Sequence, residues 1–487
     1  MSIRIGQKYG HLIHGWSCAC HSPQALQLMA RMEKKLSRRN LLKAAAATLT
    51  VSALGLSGTA MAQTKTPAKP VLLTNVKIFD GTDAKLIEGQ NVLVEGNFIK
   101  ALVGVQETVA DADVIDCGGR TLMPGMIEAH WHSILAGISQ LAAMTADIPY
   151  VHLVAAQEAE RTVLRGFTTV RDVGGPSFAL KRVIDEGGVV GPRIYPSGAM
   201  ISQTSGHGDF RMRTDLPRSA QSDLSVAERA GISAIADGEA EVLRRVREQL
   251  MLGASQIKIM GGGGVSSSYD PIDGIQFTEA ETKAAVAAAS DWGTYVCIHT
   301  YTSAGIQRAL DCGVKSIEHG QLADEETVKR MADADAWWSI QPFLADEDAN
   351  PKSDPVQRQQ QQQISDGTVR AIELGRQYKV KMALGTDILF SPKGTATQGK
   401  QLAKFARWYD NAEVLRMLTS GNADLVALSG PRNPYPAKLG RIEAGAYADI
   451  LVLDGNPLED ISLIADPDRT MKLIMKDGRI HKNTLSA

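Results

Sequence analysis

The sequence is poor in cysteine, in aromatic residues and in excess charge of either sign. Its 487 residues include 5 cysteines and 5% aromatic side chains. Cys18 and Cys20 lie near the start, and the rest are too few for a disulfide framework. Lysine and arginine number 52 against 54 acidic residues, a net charge of −2. This balance argues against a nucleic-acid-binding protein, and 44% hydrophobic residues exclude a disordered chain.

The chain also lacks an apolar run of the ~20 residues needed to span a bilayer. The longest apolar stretch runs from Ala44 to about Leu56, after the paired arginines Arg38-Arg39 and before Ala60-Met61-Ala62. A basic region, a short apolar core and an A-x-A site predict a secretory signal, and the two arginines indicate the twin-arginine type. A membrane-anchoring helix that is never cut is the alternative.

Secretory signals begin near the start of a chain, whereas this one begins after about thirty residues. We therefore expect Met32 to be the true start and residues 1–31 to be a non-native upstream extension. Residues 32–62 would be the signal, and the mature protein would begin at Gln63. The expected destination is the periplasm or the extracellular medium.

Strand-like segments occur at both ends of the mature chain and are separated by glycine-containing turns. The predicted strands are Val71–Ile78, Gln90–Glu95, Phe98–Leu102, Asp449–Asp454, Met471–Met475 and Arg479-Ile480. Because they flank a long middle region, we predict one small β-sandwich domain formed by both ends, residues 63–124 and 436–487.

The middle of the chain alternates between short apolar strands and helical patterns. The eight predicted strands are Met126–His132, Thr168–Asp172, Arg193–Ser197, Gln256–Met260, Tyr295–Thr300, Ser316–Gly320, Trp338–Pro342 and Lys381–Asp387. Helices are predicted at Val151–Arg165, Glu239–Leu252, Glu279–Ser290 and Thr302–Cys312. This alternation predicts an α/β fold, a (β/α)8 TIM-type barrel over residues 125–435. An open doubly wound sheet is the alternative, but no G-x-G-x-x-G follows the first strand. The glycines 261–264 are expected to form a flexible loop over the barrel mouth.

Histidines occur where the catalytic groups of a barrel concentrate, at the C-terminal ends of its strands. His130 and His132 stand at i and i+2 on a strand, so both can face the same side and hold one metal ion. His299, His319 and Asp387 end three further predicted strands. A single histidine on a strand is more often structural, but these five together indicate a metal site.

Lys258 lies between Ile257 and Ile259 in an apolar strand, where an unpaired ammonium would be costly. One interpretation is a lysine whose head reaches the solvent at the barrel mouth. The functional interpretation is a lysine carbamylated by CO2, because the resulting carboxylate can bridge two cations.

These segments together resemble the amidohydrolase superfamily, and in particular its imidazolonepropionase-like enzymes, Xaa-Pro-type dipeptidases and ochratoxin-hydrolysing amidohydrolases. The resemblance extends from about Val71 to Lys482. The matching motifs are PGMIEAHWH at 124–132, GFTTVRD at 166–172, QIKIM at 256–260, CIHTY at 297–301, IEHG at 317–320, GTD at 385–387 and LGRIEAGAYADI at 439–450.

The resemblance implies a binuclear zinc site. It assigns His130, His132 and Asp387 to one ion and His299 and His319 to the other, with carbamylated Lys258 and a hydroxide bridging them. Zinc lowers the pKa of bound water to roughly 7, which implies metal-assisted hydrolysis. Asp387 would carry the proton from the attacking hydroxide to the leaving amine.

Two further residues receive roles from the resemblance. His207, between Gly206 and Gly208, would hydrogen-bond the reacting carbonyl oxygen, and Tyr301 would contact the substrate. A solvated loop histidine is the alternative for His207. We expect His152 to pack on its helix and Cys297 to be a small buried residue without a ligand role.

The expected reaction is hydrolysis of the amide of an N-acyl amino acid or dipeptide, with release of the C-terminal amino acid. Ochratoxin A, a phenylalanine amide, belongs to this chemical class. A cyclic-amide or imidazolone hydrolase is one alternative, and a non-catalytic scaffold on the same fold is another, although scaffolds usually lose metal ligands that this sequence retains. The expected partner is a small molecule and not a nucleic acid, and analogy with relatives implies a homo-oligomer.

Overall fold

The computed structural model describes residues 69–218, 222–267, 269–349 and 352–485. The upstream extension and the signal, predicted at residues 1–62, lie outside the described residues. Within the described ranges, no helix combines the length and the apolar character needed to cross a membrane.

The strands of this part of the chain are numbered in chain order. They are β1 (Val71–Ile78), β2 (Gln90–Glu95), β3 (Phe98–Gly104), β4 (Asp113–Pro124), β5 (Met126–Trp131), β6 (Phe167–Asp172), β7 (Arg193–Pro196), β8 (Met200–Ser202), β9 (Ser233–Ile235), β10 (Ile257–Met260), β11 (Val296–Thr302), β12 (Ser316–Leu322), β13 (Trp337–Ile340), β14 (Lys381–Leu384), β15 (Ile450–Leu453), β16 (Met471–Lys476) and β17 (Arg479–Asn483).

The helices follow the same order along the chain. The α-helices are Gln140–Thr145, Ile148–Leu164, Phe178–Asp185, Val226–Arg229, Glu239–Leu252, Glu279–Asp291, Ser303–Asp311, Glu325–Asp333, Pro355–Gln377, Gln398–Ala403, Asn411–Arg416, Asn422–Ala427 and Pro467–Thr470. Shorter 3-10 turns lie at Arg213–Asp215, Gly394–Thr397, Lys404–Arg407, Gly430–Arg432 and Ile461–Ile464, and a π-helical turn at Met417–Gly421.

Both ends of the described chain pair in one seven-stranded sheet, in the order β17-β16-β15-β4-β1-β2-β3. The central pairing is antiparallel between β15 and β4, with Leu451 opposite Met123. The sequence prediction missed β4, because Gly118 and Gly119 interrupt its pattern and adopt φ of 64° and 75°. The expected joining of the two ends is therefore present in the sheet, and its arrangement as a sandwich stays a prediction.

The middle of the chain forms parallel strands, in the orders β5-β6-β7 and β14-β13-β12-β11-β10-β8-β9. Hydrogen bonds join the two groups at both seams. Ser255 N donates to Pro196 O at 2.8 Å, and Asp387 N donates to His130 O at 3.0 Å. Asn422 Nδ2 donates to carbonyl oxygens of both β5 and β14, at 2.7 and 2.9 Å. The eight predicted strands correspond to β5–β7 and β10–β14, and the arrangement is consistent with a TIM-type barrel.

Helices pack against the outer faces of these strands, because each helix has an apolar side. The helix Glu239–Leu252 buries Val242, Val246 and Leu250 and ends at Gly253, whose φ of 103° only glycine adopts readily. Its bounds match the sequence prediction. The strands themselves are buried on both faces, which is typical of a parallel sheet. Side chains at their C-terminal ends therefore face an enclosed space.

Candidate active site

The eight residues that the sequence singled out for metal or substrate line one cavity of about 190 Å³. They are His130, His132, His207, Lys258, His299, Tyr301, His319 and Asp387. All lie on the parallel strands or in the loops that follow them. The fold thus brings together residues that are up to 257 positions apart, from His130 to Asp387.

Asp387 is the carboxylate at the centre of the histidines. Its Oδ1 lies 3.1 Å from Nε2 of His132 and 3.3 Å from Nε2 of His130. Ligand atoms of His130, His319 and Asp387 all lie within 4.8 Å of one another. Burial alone would raise the pKa of Asp387, but His130 and the hydrogen bonds from the histidines hold it well below its usual range. The group is therefore an ionised carboxylate.

Three of the histidines are oriented through Nδ1 by a partner behind the ring. Nδ1 of His130 lies 2.8 Å from Glu318 Oε2. Nδ1 of His132 lies 3.0 Å from Gly174 O, and Nδ1 of His319 lies 2.7 Å from Gln341 Oε1. Such partners fix the ring orientation of metal-binding histidines. In all three residues, Nε2 is the nitrogen that remains for the cavity side.

His299 and His319 are buried beside each other, with ring centroids 4.5 Å apart. Burial, together with neighbouring histidines, lowers the pKa of each well below its ordinary value. Both imidazoles are therefore neutral, which is the form that binds a metal. His299 Nε2 also lies 3.2 Å from Gly263 O.

Glu318 and Arg171 form a buried ion pair directly behind the histidines. Arg171 donates to Glu318 Oε2 at 2.6 Å and to Ala129 O at 2.6 Å, and both charged side chains are 0% exposed. Burial alone would raise the pKa of Glu318, but Arg171 and the hydrogen bond with His130 hold it well below its usual range. Arg171 and Glu318 stand in the motifs at 166–172 and 317–320, but neither motif by itself indicates this pairing.

Lys258 lies on β10 and is 1% exposed, which excludes a lysine head that reaches the solvent. Within the described part of the chain, no side chain forms a hydrogen bond or an ion pair with its ammonium. Burial lowers the pKa of Lys258, and Glu318 is the strongest of the opposing charges. An amine without a partner in this position is costly as an ammonium and fits a modified, anionic form.

His207 is held in place by two side chains of the loop after β10. Its Nδ1 lies 2.8 Å from Ser267 Oγ and 3.1 Å from Asp270 Oδ2, and its ring stacks on His299 at 4.0 Å. The side chain is 14% exposed, which excludes a freely solvated histidine. Asp270 could not be predicted as a partner of His207, because no sequence motif around Asp270 indicates that its loop reaches His207.

The glycines 261–264 are buried, in contrast to the flexible loop over the barrel mouth that we expected. Gly263 N donates to Gly274 O at 3.1 Å, which joins the two arms of this loop. A Cβ on Gly264 would lie 2.0 Å from Cε1 of His207. The segment is a loop, as expected, but a buried one in which the glycines allow close approach of the backbone to neighbouring groups.

Tyr301 is 5% exposed, and its ring centroid lies 5.1 Å from those of both His299 and His319. Burial raises the pKa of Tyr301 well above its ordinary value, so its hydroxyl keeps its proton as a potential donor. His152 lies on the helix Ile148–Leu164, with Nδ1 3.0 Å from Ile148 O, and does not line the cavity. Cys297 is buried and donates to Ile257 O at 3.3 Å. Both match the expectation of structural residues.

Apolar side chains form part of the cavity wall, beside charged ones such as Asp346, Lys352 and Lys404. The apolar side chains are Met200, Phe210, Met260, Val265, Phe343, Leu344, Ile388 and Leu389. The inner part holds imidazole and carboxylate donors, the ligand types that zinc takes in catalytic sites. The donor set therefore fits the metals that the motifs imply, and the apolar walls fit an organic substrate.

Comparisons with known proteins agree with this geometry. Residues 121–481 match the model of the Amidohydrolase family. The chain is 32% identical over 326 residues to the ochratoxinase of Aspergillus niger, an alignment that covers 65% of this chain and 66% of the relative. The match thus spans slightly less than two thirds of that relative's length.

Two solved structures cover 85% of this chain and 100% of their own chains. One is a prolidase complexed with N-methylphosphonate-L-proline, at 34% identity and a TM-score of 0.78. The other is a Xaa-Pro dipeptidase with methionine bound in the active site, at 28% identity and a TM-score of 0.73. With the family model matching most of its length, the chain belongs to the amidohydrolase superfamily.

Proposed function

We propose that this protein is an exported, zinc-dependent hydrolase that cleaves the amide bond of N-acyl amino acids or dipeptides and releases the C-terminal amino acid. The observation that carries the proposal is Lys258, a buried amine without a partner among the described residues, beside four histidines and Asp387. In this proposal, His130, His132 and Asp387 would hold one zinc ion, and His299 and His319 would hold a second one. Carbamylated Lys258 would supply a further carboxylate ligand. When bound, the ions supply Lewis acidity and an activated water.

Asp387 acts as the proton carrier. It is ionised, and its Oδ1 contacts two histidines of the proposed site at 3.1 and 3.3 Å. A carboxylate in this position can accept the proton of the attacking water and return it to the leaving amine. The same residue thus serves as a ligand and as general acid–base.

His207 stabilises the developing charge on the carbonyl oxygen. Its Nδ1 faces Asp270 and Ser267, so Nε2 is the nitrogen available for a substrate. The contact of Nδ1 with the buried carboxylate of Asp270 holds the ring in place, so that an Nε2–H can donate to the carbonyl oxygen. Donors fixed before the reaction are effective because they need no reorganisation in the transition state.

The relatives support an amide that contains an amino acid. Prolidase, Xaa-Pro dipeptidase and ochratoxinase are the names of three similar proteins. The apolar side chains of the cavity favour an apolar group on the substrate, as in ochratoxin A, and Tyr301 is the proposed substrate contact. The same proposal includes cleavage after Ala62, a β-domain of residues 63–124 and 436–487, a barrel of residues 125–435 and a homo-oligomer.

Two measurements on the purified mature protein test this function. The first is zinc content, for which we expect about two ions per chain. The second is amine release from a library of N-acyl amino acids, dipeptides and ochratoxin A. Preferential turnover of cyclic amides would favour the imidazolone-type alternative. A protein that binds no zinc and hydrolyses none of these compounds would be a scaffold, and the proposal would be wrong.

A further inference from the structure

Lys352 is a cation at the cavity wall that has no carboxylate partner. It lies in the loop between β13 and the helix Pro355–Gln377 and lines the same cavity as Asp387. Its Nζ donates to Ser266 Oγ at 3.2 Å. Among the described residues, no carboxylate forms an ion pair with it.

The other charged side chains of the outer cavity are already neutralised. Lys404 Nζ lies 2.8 Å from Asp346 Oδ2 and 2.8 Å from Asp348 Oδ2. Lys400 adds a further contact to Asp348 at 2.9 Å. These pairs leave Lys352 as a cavity cation that forms no ion pair with the described residues, and Asp387 is the carboxylate that acts on it electrostatically.

The backbone of Lys352 is held by hydrogen bonds on both sides of the peptide. Lys352 N donates to Gln361 Oε1 at 3.1 Å, and Arg358 Nε donates to Lys352 O at 3.0 Å. Gln357 Nε2 donates to Ser267 O at 2.9 Å, which ties this helix to the loop that orients His207. Burial lowers the pKa of Lys352, and the charge of Asp387 opposes this shift only in part.

We propose that Lys352 binds a carboxylate of the substrate and thereby selects amides whose leaving half carries a negative charge. An ammonium that forms no ion pair within the described chain can bind an anionic group of a ligand. The apolar side chains of the cavity can contact the rest of that ligand. The carboxylate can be the main-chain carboxylate of the C-terminal amino acid or a carboxylate on its side chain. The inference rests on the proposed function and names the group that the enzyme would recognise beyond the scissile amide.

The test compares three substrates with one acyl group: an N-acyl-phenylalanine, its C-terminal amide, and an N-acyl-glutamic acid α-amide. We expect Lys352→Met to raise KM for a carboxylate-bearing substrate by about ten- to a hundredfold, since a hydrogen bond to a charged group is lost. Its kcat should stay near the wild-type value, because the contact is the same in ground and transition states. KM for the phenylalanine amide, which has no carboxylate, should not change. If Lys352→Met raises KM for the N-acyl-phenylalanine, Lys352 binds the main-chain carboxylate. If it raises KM for the glutamic acid derivative, Lys352 binds the side-chain carboxylate.

Two variants serve as controls. Lys352→Arg keeps the charge and should retain most of the discrimination. Lys315→Met removes an exposed lysine at the opposite end of β12 and should change no KM. Equal effects of Lys352→Met on all three substrates, or no effect on any, would overturn the assignment.

Calorimetric binding of the same compounds separates this inference from the proposed function. If they bind the wild type without turnover, the proposed function is wrong, and a weaker Kd in Lys352→Met still supports the carboxylate site. If they bind equally to wild type and variant, the carboxylate site is wrong. Absence of both binding and turnover overturns both proposals.

Discussion

Asp270 Oδ2 lies 3.1 Å from Nδ1 of His207 and also accepts the Gly264 N–H at 2.9 Å. One buried carboxylate therefore fixes both the ring of His207 and the backbone that packs against it. Asp270 is thus a positioning residue for the proposed oxyanion donor.

We expect Asp270→Asn to lower kcat by about tenfold or more without loss of zinc, because an amide holds the Nδ1 side of His207 less firmly than a carboxylate does. KM should stay near the wild-type value, since the carboxylate would act on the transition state through His207. Asp273→Asn, an exposed residue of the same loop, is the matched control. An unchanged kcat in Asp270→Asn would show that the carboxylate does not act through His207.

His207→Ala should leave the zinc content unchanged and reduce kcat by about a hundredfold or more, as loss of an oxyanion donor does. The loss should appear in kcat as well as in kcat/KM, because the contact strengthens in the transition state. His152→Ala, outside the cavity, should behave as wild type. A near-normal kcat with only a raised KM would make His207 a plain substrate contact, and loss of zinc would make it a ligand.

Gly264→Ala should act in the same direction as His207→Ala. The added Cβ would lie 2.0 Å from Cε1 of His207, so the ring has to move from its place on His299. We expect reduced kcat with zinc content retained, measured by steady-state kinetics and metal analysis. Gly104→Ala meets only the side chain of Glu107, at 3.3 Å, and serves as the control. Full activity in Gly264→Ala would show that the ring position is not critical.

Glu318→Gln should weaken zinc binding by about ten- to a hundredfold, because the carboxylate behind His130 orients that ring. The change also leaves Arg171 buried without its counter-charge, at a cost of about 3–5 kcal/mol of unfolding free energy. Zinc titration and thermal unfolding measure the two effects separately. Glu326→Gln, on an exposed helix surface, should alter neither quantity. If Glu318→Gln is destabilised but binds zinc with the wild-type affinity, Glu318 contributes to folding and not to the metal site.

The parallel strands and the residues at their ends could be predicted from the sequence. Each of β5, β10, β11 and β12 is a short apolar run that carries a histidine or lysine, and the alternation with helices indicates where these ends meet. The helix Glu239–Leu252 was predicted to the residue, because Gly253 marks its end. Sequence patterns were sufficient to predict an element where a residue in the sequence marks its end, as Gly253 does here.

The partners behind the site could not be predicted, because they depend on departures from regular backbone and on contacts between distant loops. Strict alternation would place Glu318 and His319 on opposite faces of β12. His319 instead has φ of 75°, and both side chains reach the histidine cluster. Asp270 and Gln341 come from loops whose reach no periodicity encodes.

The zinc content and activity of Lys258→Ala test the central claim most directly, with Lys315→Ala as an exposed control lysine. The account predicts that the mature wild type and the control bind two zinc ions per chain and hydrolyse an N-acyl amino acid. It predicts that Lys258→Ala loses metal and activity together, because the bridging group is gone. A Lys258→Ala protein that keeps two zinc ions and most of its activity would contradict the binuclear, lysine-bridged site.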